Sequence, residues 1–273
     1  MKRIGYKSLA LLATFVFVGV ASAATPNPNG IVSVARLWND YPQATCVWVD
    51  NYPAHVEWQF NCPFALTGWA NKGYFELSGD GGATKLLFPN LSNYSYEADF
   101  TLTGTNVGHL EGGIAVQPWW TDDGDEFMCN IGSGEITEWG GFIPSFSFSN
   151  TFALHYNLGT LIHEKVVYLA GNAEPTQANP ATVELSIVYG GLPYTSGPIA
   201  CGASNPNDPP HGSYGQLNDT KLGGVVMGGP VMGDPNGGAG TLSGTFNNIL
   251  FQNLDGPTPT RSTSWGAMKA LYR

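Results

Sequence analysis

Basic residues are scarce in this sequence. Only 11 Lys and Arg stand against 21 Asp and Glu in 273 residues, which gives a formal net charge of −10. No Lys or Arg occurs between Lys85 and Lys165. Proteins bind polyanions through Lys and Arg side chains that displace counterions. We therefore expect no nucleic acid partner and no alginate-like or sulfated ligand, which leaves neutral glycans, cations and proteins.

Charged residues in general are sparse, and no sustained helical periodicity is present. Charged residues make up 12% of the chain, well below the usual roughly 25%, and 36 Gly and 19 Pro interrupt it every few positions. Between them lie short runs in which apolar and polar residues alternate, as at 94–102, 142–148 and 183–189. A period of two with one apolar face indicates strands that pack on a core from one side. Many such strands predict an all-β fold, an antiparallel β-sandwich of the jelly-roll kind.

No segment after the first 23 residues is apolar and long enough to cross a membrane. At the start, three basic residues within seven positions precede an apolar run at 9–20 and small residues at 21–23. This order predicts a secretory signal peptide over residues 1–23, because the run is short for a membrane span. A retained anchor is the alternative. Cleavage removes three of the 11 basic residues and none of the 21 acidic ones, so the net charge falls from −10 to about −13. We expect a secreted protein, extracellular or at the cell surface, with the periplasm as a further option.

The rest of the chain divides into one domain and a tail. Residues 24–256 are predicted to form the sandwich, and residues 257–273 a linker and C-terminal tail. Trp265, Met268 and Leu271 or Tyr272 recur at spacings of three and four in the tail, which predicts a short helix. Two interpretations stay open. The tail docks on a partner, or it packs on its own sandwich or frays, because so short a helix is marginal without packing.

Cysteines are few, and none has the Cys-x-x-Cys spacing of a metal site. In an oxidising compartment, four cysteines form two disulfides with three possible connectivities. We prefer Cys46 with Cys62 as a local pair and Cys129 with Cys201 as a long-range pair. Buried free thiols are the alternative, because cysteine favours protein interiors.

The stretch 119–139 holds three tryptophans and six acidic residues and contains no Lys or Arg. If Gly132 and Ser133 form a two-residue turn, the flanking runs make a hairpin in which Asn130 faces Glu135. One face of the hairpin is then apolar and belongs to the core. The other face carries carboxylates, an amide and an indole. The preceding run, 110–119, divides in the same way, with Glu111 on the polar side.

Such a polar and aromatic face suits a sugar. Indoles stack on the C–H faces of sugar rings, and carboxylates and amides bond to hydroxyl groups. An exposed polar strand face without a ligand is the alternative. The residues that we expect to bind a neutral polysaccharide or glycan are Glu126, Asn130, Glu135, Trp139, Trp119, Trp120 and Gln117.

A large sandwich with this hairpin resembles the concanavalin A-like lectin/glucanase superfamily, which includes laminin G-like domains. Its laminarinase–lichenase glycosidases carry Glu-x-Asp-x-Glu, or a form with one more residue, and the outer glutamates act as nucleophile and acid/base. Residues 134–139 read Gly-Glu-Ile-Thr-Glu-Trp. Thr137 therefore replaces the Asp, and Glu138 comes one residue early. The resemblance implies a laminarinase-like glycoside hydrolase in which Glu135 acts with Glu138 or Glu111.

The odd spacing of Glu135 and Glu138 argues against such catalysis. Successive strand side chains point to opposite faces, whereas retaining and inverting glycosidases need carboxyl groups about 5–5.5 Å and 6.5–9.5 Å apart. A bulge at Ile136 or Thr137, or Glu111 on a neighbouring strand, would restore a pair. The leading hypothesis is thus a secreted, non-catalytic protein that recognises a neutral glycan. A glycoside hydrolase and a structural extracellular protein without a small ligand are the alternatives.

The loop 121–126 offers a candidate metal site. Asp122, Asp123 and Asp125 place hard oxygen ligands in one turn, as Ca²⁺ prefers. The spacing is not that of an EF-hand, and a solvated acidic turn is the alternative. Calcium is the one cofactor that the sequence suggests.

Overall fold

The fold consists of two antiparallel β-sheets with a single short helix in the described part of the chain. The computed structural model describes residues 25–36, 45–62, 68–86, 88–89, 91–105, 111–116, 130–132, 134–138, 146–171, 173, 175–201, 225–233 and 240–255. The first nine strands are β1 Gly30–Arg36, β2 Thr45–Asn51, β3 His55–Cys62, β4 Gly68–Ser78, β5 Asn93–Gly104, β6 Glu111–Val116, β7 Asn130–Gly132, β8 Glu135–Glu138 and β9 Phe146–Ser147. They are followed by α1 Phe148–Phe152, β10 Ile162–Leu169, β11 Thr182–Tyr189, β12 Leu192–Ala200, β13 Val225–Gly233 and β14 Gly240–Asn253.

The strands form two sheets of seven. One has the order β1-β4-β13-β6-β7-β8-β9 and contains the central hairpin, so we name it the hairpin sheet. The other has the order β12-β11-β10-β5-β14-β3-β2, and we name it the opposite sheet. Neighbouring strands are antiparallel in both sheets. The predicted all-β antiparallel sandwich is therefore confirmed.

The core lies between the sheets because their strands alternate as the sequence predicts. Tyr94, Tyr96, Ala98 and Phe100 of β5 are fully buried, whereas Glu97 and Asp99 between them are half-buried. Phe100 stacks on Phe246 of β14, with ring centroids 4.5 Å apart. Phe246 also meets Phe75 of the hairpin sheet edge-on at 5.6 Å. Aromatic pairs of this kind add roughly 0.5–1.5 kcal/mol beyond area burial, and this set joins the two sheets.

The alternating run at 142–148 does not end as a strand. The strand stops at Ser147, and a helix begins at Phe148. The Ser147 hydroxyl accepts a hydrogen bond from the Asn150 N–H at 3.0 Å, which satisfies one of the free donors at a helix start. Ala153 then ends the helix with a φ of 55°. The apolar alternation was a misleading signal here, because serine at 147 is also an N-cap.

The preferred disulfide pairing is not observed. Cys46 and Cys201 are free thiols, and burial raises the pKa of each to about 12. Cys46 pairs with Phe60 across β2 and β3, so Cys62 is a diagonal neighbour two residues further along. Diagonal partners have Cα atoms about 7–8 Å apart, beyond the usual 4.4–6.8 Å of a disulfide. Cys129 lies outside the described residues.

The two ends of the described domain are joined by a polar clamp around one carboxylate. Asp255 accepts hydrogen bonds from the Thr25 N–H at 2.9 Å and from the Asn93 side-chain amide at 2.7 Å. The Asn93 oxygen accepts the N–H groups of Ala170 at 2.9 Å and Gly171 at 3.2 Å. The clamp thus connects the first and last described residues to the start of β5 and to the two residues that follow β10.

Several expectations fall on other parts of the chain. The signal peptide at 1–23 and the helical tail within 257–273 lie outside the described residues, and these assignments and the domain boundary stay predictions. Within the described ranges, no helix has the length and apolar content to cross a membrane.

Candidate functional site

The central hairpin exists, but its turn lies one residue later than expected. Gly132 pairs with Glu135, Ile131 with Ile136 and Asn130 with Thr137. Gly134 therefore lies in the turn, and the pairing differs from the expected one by two positions. Because side chains alternate with a period of two, a shift of two leaves the faces unchanged. Ile136 is fully buried on the core side, and Glu135 is exposed on the other side.

Three features of Gly134 explain the position of the turn. Its φ of 90° lies in the left-handed region that glycine adopts without strain. The ring of His155 covers the residue so closely that a Cβ there would collide with it. The Tyr156 N–H also donates to the Gly134 carbonyl at 2.9 Å. The segment after α1 therefore holds the hairpin turn from outside.

Glu135 has hydroxyl groups beside it. Ser147 on β9 donates to the Glu135 carboxylate at 3.5 Å, a long and weak contact. Thr137 is half-buried on the same face of β8, and its hydroxyl donates to the Phe146 carbonyl at 3.2 Å. Both hydroxyls are held by backbone neighbours, since Ser147 also caps α1. The face around Glu135 thus combines a solvent-accessible carboxylate with fixed hydroxyl groups.

The register places Glu111 in the same cross-strand row as Glu135. Glu111 on β6 pairs with Gly132 on β7, and Gly132 pairs with Glu135 on β8. The two glutamates are therefore separated by two strand spacings, roughly 9.5 Å between their backbones. The residue between them has no side chain. This row leaves a gap between two acidic positions on the solvent side of the hairpin sheet.

Glu138 stands on the opposite face of β8. On one side, β8 pairs with β7 without interruption, from Gly132–Glu135 to Asn130–Thr137. On its other side, Thr137 pairs with Ser147 and Glu138 with Phe146. No bulge interrupts these pairings within β8. The register therefore separates Glu135 and Glu138, as the odd spacing predicts.

Most of the remaining predicted site residues lie outside the described part of the chain. Asn130 occupies the face of Glu135 by register, one row away from it. Gln117, Trp119, Trp120, Glu126 and Trp139 lie outside the described residues, as do Asp122, Asp123 and Asp125, so these assignments stay predictions. Among the described residues, no cluster of three His, Cys, Asp or Glu could hold a metal ion.

Sequence reasoning missed a second polar surface, on the solvent side of the opposite sheet. Lys165 on β10 forms an ion pair with Glu97 on β5 at 2.8 Å. In the adjacent row, Asp99 contacts His163 at 2.9 Å and accepts from the Asn248 amide at 2.8 Å. Burial raises the pKa of Asp99, but these two hydrogen bonds outweigh it and hold the pKa below its usual value. The outward polar positions of β5 and β10 were visible in the sequence, but their pairing was not.

Comparisons with known proteins give fold-level similarities. No family model matches the chain, and no curated protein does. The carbohydrate binding module CBM66 from Bacillus subtilis is 12% identical with a TM-score of 0.35, covering 85% of this chain and 100% of that one. A marine PL-14 alginate lyase from Aplysia kurodai is 8% identical with a TM-score of 0.38, over 83% and 99%. Peanut lectin is 12% identical with a TM-score of 0.25, over 82% and 100%.

Proposed function

We propose that this protein is a secreted, non-catalytic β-sandwich that binds a neutral glycan on the solvent face of the hairpin sheet. The observation that carries the proposal is the row Glu111–Gly132–Glu135, in which a residue without a side chain separates two acidic positions. A sugar ring in that gap would lie between the two acidic positions and beside the exposed Glu135 carboxylate. The Ser147 hydroxyl, which already contacts Glu135, provides a further polar partner.

The charge of the protein supports a neutral ligand. The formal net charge is −10, and the site itself carries acidic positions, so an anionic glycan would be repelled. Neutral sugar hydroxyls donate well to carboxylates, and a hydrogen bond to a charged group is worth about 1.5–3 kcal/mol. Tryptophans at 119, 120 and 139 are proposed to supply the stacking surface beside this row.

Glu135→Gln is expected to weaken glycan binding by about tenfold or more, because one charge-assisted acceptor is lost. The measurement is a glycan array of neutral oligosaccharides, followed by calorimetric titration of the best binder. Glu57→Gln is the matched control, since Glu57 lies on the solvent side of the opposite sheet. If Glu135→Gln and the unchanged protein bind the glycan with equal affinity, Glu135 is not part of the site. If no neutral glycan binds, the remaining interpretation is a structural extracellular protein without a small ligand.

The same row favours one second candidate function, an inverting glycoside hydrolase. Two strand spacings, roughly 9.5 Å, are near the 6.5–9.5 Å that inverting enzymes use between carboxyl groups. Glu135 and Glu111 would then act as base and acid on opposite sides of the scissile bond. Glu138 has no part in this arrangement, because its register position is on the other face.

Incubation with the bound glycan is expected to release no reducing ends, because the binding proposal assigns no general acid. The measurement is a reducing-end assay over long incubation with the best ligand of the array. Release that both Glu111→Gln and Glu135→Gln abolish, and that Glu138→Gln leaves intact, would replace the binding proposal with the hydrolase. The anomeric form of the first product, read by NMR, would then be inverted.

A further inference from the structure

We propose that the opposite sheet carries a second, separate saccharide-binding groove on its solvent side. The groove has a volume of about 650 Å³ and runs over β5, β10, β11 and β12, with Phe152 of α1 at one wall. It lies on the other side of the sandwich from the hairpin row. The inference goes beyond the proposed function and stands whether or not the hairpin face binds a glycan.

The floor of the groove is a single cross-strand row of four polar side chains. Glu97 pairs with Lys165, Lys165 with Ser186, and Ser186 with Thr195. The row therefore offers a carboxylate, an ammonium group and two hydroxyls in succession. Three strand spacings separate its ends, roughly 14 Å. That length accommodates more than one sugar ring.

Thr195 of this row and its neighbour Glu184 are held in position before any ligand arrives. Thr195 accepts the Gly197 N–H at 3.0 Å and donates its own hydroxyl to the Glu184 carboxylate at 2.8 Å. Gly197 has a φ of 67°, close to the shift in pairing between β11 and β12 at Glu184 and Ser186. The irregular edge therefore fixes Thr195 and Glu184 at the rim of the groove. Pre-positioned polar groups lower the entropic cost of binding.

Apolar and aromatic residues line the rest of the groove. Phe152 has a relative exposure of 37%, and Val188 one of 40%. The Phe152 ring packs against Tyr194 with centroids 5.1 Å apart, and Pro193 lies beside Tyr194 on β12. Exposed rings with a polar floor are the combination that sugar C–H faces and hydroxyls require.

The charge pattern favours a hydroxyl-rich neutral ligand over an ion. Each carboxylate can accept from a hydroxyl, and the Lys165 ammonium can donate to one, so the row matches neighbouring hydroxyls on a ring. An anion would meet Glu97 and Glu184, and a cation would meet Lys165. The Lys165–Glu97 pair is partly exposed, and such pairs contribute only about 0–1 kcal/mol. Ligand hydroxyls can therefore insert into it at low cost.

The test is an NMR titration of the isotope-labelled protein with neutral hexasaccharides of β-1,3-glucan, β-1,4-glucan, mannan and xylan. We expect at least one to shift the backbone amides of Lys165, Ser186 and Thr195. Thr195→Val and Phe152→Ala should each raise the Kd read at those amides by about tenfold or more. Thr101→Val is the matched control, because Thr101 lies on the solvent side of β5 outside the groove.

The outcomes separate this proposal from the previous one. Glu135→Gln should leave the Kd at the groove amides unchanged, and Thr195→Val should leave the Kd at the Glu135 amide unchanged. If no neutral hexasaccharide shifts the groove amides, the second site is overturned. Shifts that occur only with an oligouronate, and that Lys165→Met abolishes, overturn it as well. Thr195→Val keeps the test valid should Phe152→Ala fail to fold.

Discussion

Replacement of Trp58 by alanine is expected to lower the free energy of unfolding by about 3–5 kcal/mol, the range for a large buried aromatic. Trp58 of β3 is fully buried and is among the largest side chains in the core. Its indole lies against the backbone of Gly244 on β14, where a Cβ would come within 2.7 Å of the ring. Equilibrium denaturation in urea measures the loss of free energy, and thermal unfolding should show a melting temperature lower by roughly 10 °C.

A double-mutant cycle with Gly244 checks the physical reason. Gly244→Ala alone should destabilise by about 1–3 kcal/mol, because its methyl group overpacks the indole. In the Trp58→Ala background the same methyl group has room. Adding Gly244→Ala should then lower the free energy of unfolding only a little further. The two changes are in contact and should therefore be non-additive. Additive losses would show that Trp58 and Gly244 do not constrain each other.

Asn93→Ala is expected to lower the free energy of unfolding by about 3 kcal/mol, because it leaves several partners of one side chain unsatisfied. The Asn93 amide donates to Asp255, and its oxygen accepts the N–H of Ala170, which is buried. The change opens the clamp that joins both ends of the domain. Urea denaturation measures the loss. Asn157→Ala is the matched control, because Asn157 is exposed.

The clamp also predicts a pH dependence. Burial raises the pKa of Asp255, but hydrogen bonds from Thr25 and Asn93 outweigh it and hold the pKa below its usual value. The carboxylate therefore stabilises the fold fully above its unfolded pKa of about 3.9. This contribution is lost as the pH falls through the lower, folded pKa. The stability difference between the unchanged protein and Asp255→Asn should be constant near neutral pH and shrink below about pH 4. A difference that persists at lower pH would contradict this account.

The hairpin shows which structural features the sequence predicts and which it does not. The turn lies one residue later than expected, because the expectation rested only on glycine at 132 as the leading residue of a two-residue turn. The faces were nevertheless assigned correctly for Glu135 and Ile136, since the pairing error was two positions and alternation has a period of two. The separation of Glu135 from Glu138 likewise follows from their odd spacing. These are local properties, so the sequence of each single strand is enough to predict them.

The sequence of a single strand does not indicate which other strands it pairs with. Nothing near Glu135 in the sequence indicates that Gly132 would separate it from Glu111. Glu97 and Lys165 are 68 positions apart, and only the pairing of β5 with β10 makes them neighbours. The cysteines show the same limit, because Cys46 and Cys62 are close in sequence but diagonal in register.

The sequence by itself determined the all-β class, the alternation that defines the core and the face on which each described hairpin residue lies. These follow from backbone geometry, which sends successive strand side chains to opposite sides. Only the tertiary structure decided which strands are neighbours, and so created the row Glu111–Gly132–Glu135 and the groove above Lys165. Strand order depends on long-range packing and hydrogen bonding between distant segments, and these have no local signature in the chain.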